Sequence, residues 1–181
     1  MTDTYHKSLF NEAGVPGLIL GGISILYFAV NELLSSAVAN GSGIIAFNIL
    51  SFVLWGAKLF ACIYVMYLIL KKFATANGGN KSLTMKFGML TALCSSLLYS
   101  AACLAFVLFI SPESISTALE STAQMYAGLF TSDQIDSIMD MQSSIPALMF
   151  FVNLVYCWLW GLVLSAIFSS KLCKKENPFI D

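Results

Sequence analysis

The chain contains no arginine: all nine of its basic residues are lysines, and ten acids bring the formal net charge to -1. Proteins that grip nucleic acid do so chiefly by neutralising phosphates with a surplus of cations. This chain has no such surplus, which excludes nucleic acid as a partner. Histidine occurs once, as His6, near the start. A catalytic histidine pair and a multi-histidine metal site are therefore excluded as well. Charge of either sign is scarce, at 10% of residues, against about 25% in an average soluble domain. That is not the composition of a protein designed to face water on all sides.

What replaces the charge is apolar sequence, 58% of 181 residues, gathered into four runs at 16–38, 44–70, 87–110 and 145–169. Each is long enough to cross a hydrocarbon core of about 30 Å, which takes about 20 helical residues. A backbone in lipid must satisfy its own hydrogen bonds, leaving helices or closed barrels, and continuous runs lack the alternation of a barrel strand. The sequence thus predicts an all-α integral membrane protein with four transmembrane helices, forming one membrane domain over residues 1–181. The first run follows a mixed polar segment, 1–13, and is longer than a signal core, which predicts a retained anchor. Pro16 suits the first turn of that helix, and Gly41 and Gly43 suit a tight turn into the second span, making spans one and two a hairpin.

Orientation follows from where lysines gather, since they accumulate on the cytoplasmic side. The segment 71–86 carries Lys71, Lys72, Lys81 and Lys86 with no acid, and the tail adds Lys171, Lys174 and Lys175. Segment 111–144 carries Glu113, Glu120, Asp133, Asp136 and Asp140 with no base. Both termini are expected in the cytoplasm. Within 111–144, Ser111-Pro112-Glu113 reads as a helix start, followed by Ile115, Leu119, Tyr126 and Leu129 near helical spacing. Thr131-Ser132-Asp133-Gln134 reads as a capping box ahead of Ile135, Ile138 and Met139. Two short amphipathic helices are expected there, across the outer bundle mouth, in the headgroup layer, or docked on a partner.

Five cysteines, Cys62, Cys94, Cys103, Cys157 and Cys173, give an odd count, and none lies in the outer segment. This argues against a disulfide-forming thiol oxidase and for cysteines acting as small apolar side chains. Small residues at every fourth position, Gly88, Ala92, Ser96 and Ser100 in span three and Gly17 and Gly21 in span one, mark packing seams. Spacing alone leaves open whether those seams lie within one chain or between two.

Glu32 and Lys58 are the only charges inside the four runs, and intramembrane charges are costly enough to be functional candidates by default. At about 1.5 Å rise per residue, Lys58 lies roughly 20 Å from either end of its span, and Glu32 about 12 Å inside the turn at Asn40. Asn153 falls at the depth of Glu32, and Trp158 and Trp160 fall near that of Lys58. Trp55 is also mid-span, away from the interfaces where tryptophan belts sit. Glu32, Lys58, Asn153 and Trp158 are therefore the candidate substrate-binding residues. Three readings stand: Glu32 at the outer interface, a buried Glu32–Lys58 pair that fixes register, or a substrate or proton site built on both.

The glycine-containing first span, the lysine-ended second (Leu70-Lys71-Lys72-Phe73) and the glycine-bearing inner loop form a recognisable set. So do the opening of span three at Lys86-Phe87-Gly88, the proline at Ser111-Pro112-Glu113 and the lysine-rich tail. Together they resemble a family of small bacterial four-span proteins catalogued as domain of unknown function four-one-nine-nine. The resemblance implies a four-helix inner-membrane protein and carries no activity or site residues. The expected function is a non-enzymatic accessory or scaffold subunit, without metal or cofactor, whose partners are the bilayer and either another membrane protein or a second copy. The alternative is a small transporter or lipid-carrier flippase using Glu32 and Lys58.

Overall fold

A computed structural model describes residues 2–38, 44–111, 113, 115–117, 121 and 144–173. All regular structure among the described residues is helical: α1 Thr2–Val38, α2 Ile44–Ala76, α3 Lys81–Ala105 with a final π turn at Phe106–Ile110, and α4 Ile145–Leu172. The four helices each contain a stretch long and apolar enough to cross a membrane, at Leu9–Ser35, Phe47–Ala76, Lys81–Ile110 and Ile145–Leu172. The turn between α1 and α2, and most of the 111–144 segment with its two expected amphipathic helices, lie outside the described residues.

The first helix begins earlier than the sequence suggests. Pro16 does not start it but sits inside it, where its ring opposes the carbonyl four residues back at a typical cost of about 3 kcal/mol. Packing on both sides of the proline holds the helix together. Leu9, Ala13, Gly17, Leu20 and Gly21 recur at three- and four-residue spacing and are all buried.

The helices also overrun the apolar runs. Nothing between Lys71 and Ala76 breaks a helix, so α2 continues until Gly78 and Gly79, whose φ angles of 64° and 76° need a residue without a β-carbon. Gly79 donates its N–H back to the Ala74 carbonyl at 2.9 Å, closing the end of α2. Asn80 then caps α3: its side chain accepts from the Leu83 N–H at 3.0 Å. At the far end of α3, Ser111 leaves the helical region (φ -138°, ψ 65°) ahead of Pro112, which disfavours a helical predecessor.

The third helix is the hub. It packs extensively against α4 and α1, whereas α2 touches its neighbours less and α1 and α4 barely meet. Glycine seams explain the closeness. A β-carbon added to Gly17 would lie 2.5 Å from that of Cys94, and one added to Gly21 would lie 2.8 Å from Leu98 Cδ2. One added to Gly88 would lie 2.5 Å from Ser165 Oγ, and one on Gly161 would collide with the Ala92 side chain. The small-residue stripes therefore serve contacts within the chain, with α3 offering one face to α1 and another to α4. The sequence-adjacent pair, α1 and α2, is not the tightest.

The distribution of side chains is inverted relative to a water-soluble bundle. Thr84, Thr91, Ser96, Ser100, Ser165 and Ser169 are buried, while Phe60 and Phe109 are 74% and 83% exposed. Leaving such side chains in water forgoes about 1.5–3 kcal/mol each; in hydrocarbon nothing is lost. Four of these hydroxyls find partners along their own helices, as Ser165 donates to the Gly161 carbonyl at 2.6 Å, whereas Thr91 and Ser100 have none. The main apolar core sits at the end carrying the α2–α3 loop, hereafter the lysine end. Leu9, Ala13, Leu20, Met66, Leu70, Phe73 and Phe87 form it, and the Phe73 and Phe87 rings stack at 3.9 Å with planes 3° apart.

Candidate functional site

Beyond this core, toward the opposite end, the bundle interior turns polar around Lys58. Its ammonium nitrogen lies 5.0 Å from the centre of the Tyr27 ring on α1 and 4.9 Å from that of the Tyr99 ring on α3. Three helices therefore meet at one charge. Phe28 holds the arrangement by packing edge-on against Tyr99 at 6.5 Å and Phe106 at 5.0 Å.

A lone ammonium at mid-depth costs about 2.5–3.5 kcal/mol on insertion scales. A cation over a desolvated ring recovers about 0.5–2 kcal/mol. Two rings thus offset much of the cost without any carboxylate. Among the described residues, none of the acids forms an ion pair with Lys58; the direct Glu32–Lys58 pair open on depth arithmetic is replaced by the two ring faces. Glu32 is half-buried, five residues or about 7.5 Å farther along α1 than Tyr27.

Thiols complete the level. Cys62 lies one turn along α2 from Lys58 and is half-buried. Cys103 is buried one turn beyond Tyr99 on α3. Cys157 brings α4 into the electrostatic field of Lys58. All five cysteines are free thiols, and the described residues hold no group of three metal-ligating side chains placed to share an ion.

The remaining candidates divide. Asn153 and Trp158 are half-buried on the stretch of α4 that carries Cys157, with Asn153 one turn nearer the opposite end. Trp55 and Trp160 turn outward, 49% and 54% exposed, Trp55 stacked on Phe52 and Trp160 edge-on to Tyr156. Sequence reasoning missed Tyr27 and Tyr99. An antiparallel register about the turn between α1 and α2 puts Tyr27 near the level of Lys58, and that was the available signal for it. Also missed was Asn31, one turn beyond Tyr27, whose Oδ1 is buried without a hydrogen-bond partner, as is Ser51 Oγ on α2.

Four long apolar helices around a polar interior define a multi-pass helical membrane protein. The chain belongs to the family described as protein of unknown function (DUF4199), whose model matches residues 16–172. Comparison with curated proteins and with solved structures gave no match.

Proposed function

We propose that the protein is a non-enzymatic accessory or scaffold subunit of a complex in the bacterial inner membrane. In this reading both termini and the lysine end face the cytoplasm and the acidic 111–144 segment faces outward. The observation that supports a static role over a conduit is the seal at the lysine end. There the Phe73–Phe87 stack and the surrounding Leu9, Leu20, Met66 and Leu70 fill the bundle interior. A pathway past Lys58 would have to break this packing, the main apolar core of the described residues. The lysine distribution supports the orientation.

One observation favours the second reading, a small transporter or lipid-carrier flippase: Lys58 lacks a carboxylate partner among the described residues, and buried Asn31 Oδ1 and Ser51 Oγ, nearer the opposite end of the same helices, also lack partners. The two readings separate in a native gel of mildly solubilised bacterial membranes, run beside the purified chain, with purified protein reconstituted in liposomes as the second arm. The subunit reading expects a larger species containing a second membrane protein at fixed ratio, and no lipid or anion movement across the liposome. Migration at the size of the purified chain, together with movement that depends on Lys58, would establish the transporter instead.

A further inference from the structure

The Lys58 ammonium has no carboxylate in contact among the described residues. The two tyrosine faces solvate it but carry no net charge, so it keeps its capacity to pair with an anion. In a medium of low dielectric an anion brought to that point gains far more than it would in water. The neighbours are suited to one. Tyr27 and Tyr99 carry hydroxyls at the same level, and buried Asn31 Oδ1 and Ser51 Oγ, nearer the opposite end, lack hydrogen-bond partners. An unpartnered buried polar atom costs about 1–3 kcal/mol, so a polar group entering along that side removes a penalty already present. Since amide oxygen and nitrogen are assigned from the hydrogen-bond network, Asn31 can turn either group toward such an entrant.

The charge of the entrant is limited by Glu32. Glu32 is half-buried about 7.5 Å beyond Tyr27 along α1, and a negative charge there opposes a doubly charged entrant more than a singly charged one. The site therefore suits a group carrying a single negative charge. It also lies beside α2, the helix least engaged by its neighbours. Lys58 itself is only half-buried, so part of its side chain reaches the surface of the bundle. Access from the hydrocarbon is thus open beside Lys58, which favours an anion carried on an apolar tail.

We propose that Lys58, bracketed by Tyr27 and Tyr99, binds the singly charged phosphodiester group of an amphiphile within the membrane. The proposal names a ligand class for the intramembrane site and holds whether the protein is a static subunit or a carrier, so its failure leaves the oligomeric test above unaffected. The lysine end offers a competing anion surface in Lys71, Lys72, Lys81, Lys86 and Lys171, which are exposed and face the headgroup layer of any membrane.

The test uses the full chain in phosphatidylcholine nanodiscs with a trace of photoactivatable phosphatidylglycerol, mapping the attached label by peptide mass spectrometry. The expected result is labelling on peptides holding Tyr27, Lys58 and Tyr99. Excess phosphatidylglycerol should compete it away, diacylglycerol should not, and Lys58→Gln should lower it at least tenfold while Lys58→Arg retains it. Competition by inorganic phosphate as effective as by phosphatidylglycerol would support the anion site but assign it to a free anion. Label confined to peptides with Lys71, Lys72, Lys81 and Lys86, or labelling at the Lys58 level unchanged in Lys58→Gln, would overturn the proposal. The wild-type map is informative even if Lys58→Gln fails to fold.

Discussion

The Lys58 ammonium sits 4.9 Å from the centre of the Tyr99 ring, an α2 cation seated on an aromatic face of α3. With Tyr27 on the other helix it forms a bracket that ties α2, otherwise the loosest member, to the α1–α3 pair. A carboxylate would neutralise the charge; ring faces stabilise it and leave it available. This difference motivates the first two predictions.

Replacing Tyr27 by Phe keeps the ring face and should change stability little, whereas Tyr27→Leu removes it and should cost about 1 kcal/mol. In a Lys58→Met background the leucine penalty should shrink by the cation–ring share. Thermal unfolding in detergent, run as a double-mutant cycle, measures this. Equal penalties in both backgrounds would mean that the cation does not use the ring.

The corresponding cycle on Glu32→Gln and Lys58→Met should give a coupling below about 0.5 kcal/mol, the additivity expected of residues that share no direct contact. Coupling above about 1 kcal/mol would reveal an ion pair in the membrane that replaces the ring contacts.

Glycine positions should split sharply. Gly17→Val and Gly161→Val force side chains into Cys94 and Ala92 and should destabilise by about 1–3 kcal/mol or more, as overpacking does. Gly22→Ala and Gly56→Ala meet open space and should be neutral or stabilising by up to about 1 kcal/mol, through the better helix propensity of alanine. Melting temperatures of the four variants in one detergent suffice. Comparable losses at all four would show that the seams do not lie where the fold places them.

Orientation can be read with single introduced cysteines. A membrane-impermeant thiol reagent added to intact cells should label Ser132→Cys and spare Ser82→Cys until the membrane is opened. The reverse pattern would place the lysine loop outside.

Amide exchange addresses the acidic segment. Two helices at 111–144 predict slowed exchange at the apolar positions Ile115, Leu119, Ile135 and Ile138, because hydrogen-bonded amides exchange only on opening. Uniformly fast exchange from Ser114 to Asp140 would show an unstructured loop.

Much of the scaffold was legible because the bilayer imposes a length and polarity that any spanning helix must meet. The four apolar runs, the glycine-bearing inner loop and the small-residue seams all follow from local rules, whereas sequence reasoning missed the caps at Gly78 and Asn80, and with them the overrun of α2 and α3 past the apolar runs. Pro16 misled because a local rule, proline at a helix start, lost to buried positions on both sides of it. The tertiary structure decided what spacing cannot. A stripe of small residues defines a face of a helix but not its partner, so only packing shows that Gly88 and Ala92 meet α4 while Gly17 and Gly21 meet α3. Likewise, rise per residue places Lys58 at mid-depth, yet says nothing about its direction around the helix axis. That azimuth, set by how α1, α2 and α3 pack, put two tyrosine faces rather than the Glu32 carboxylate against the half-buried cation.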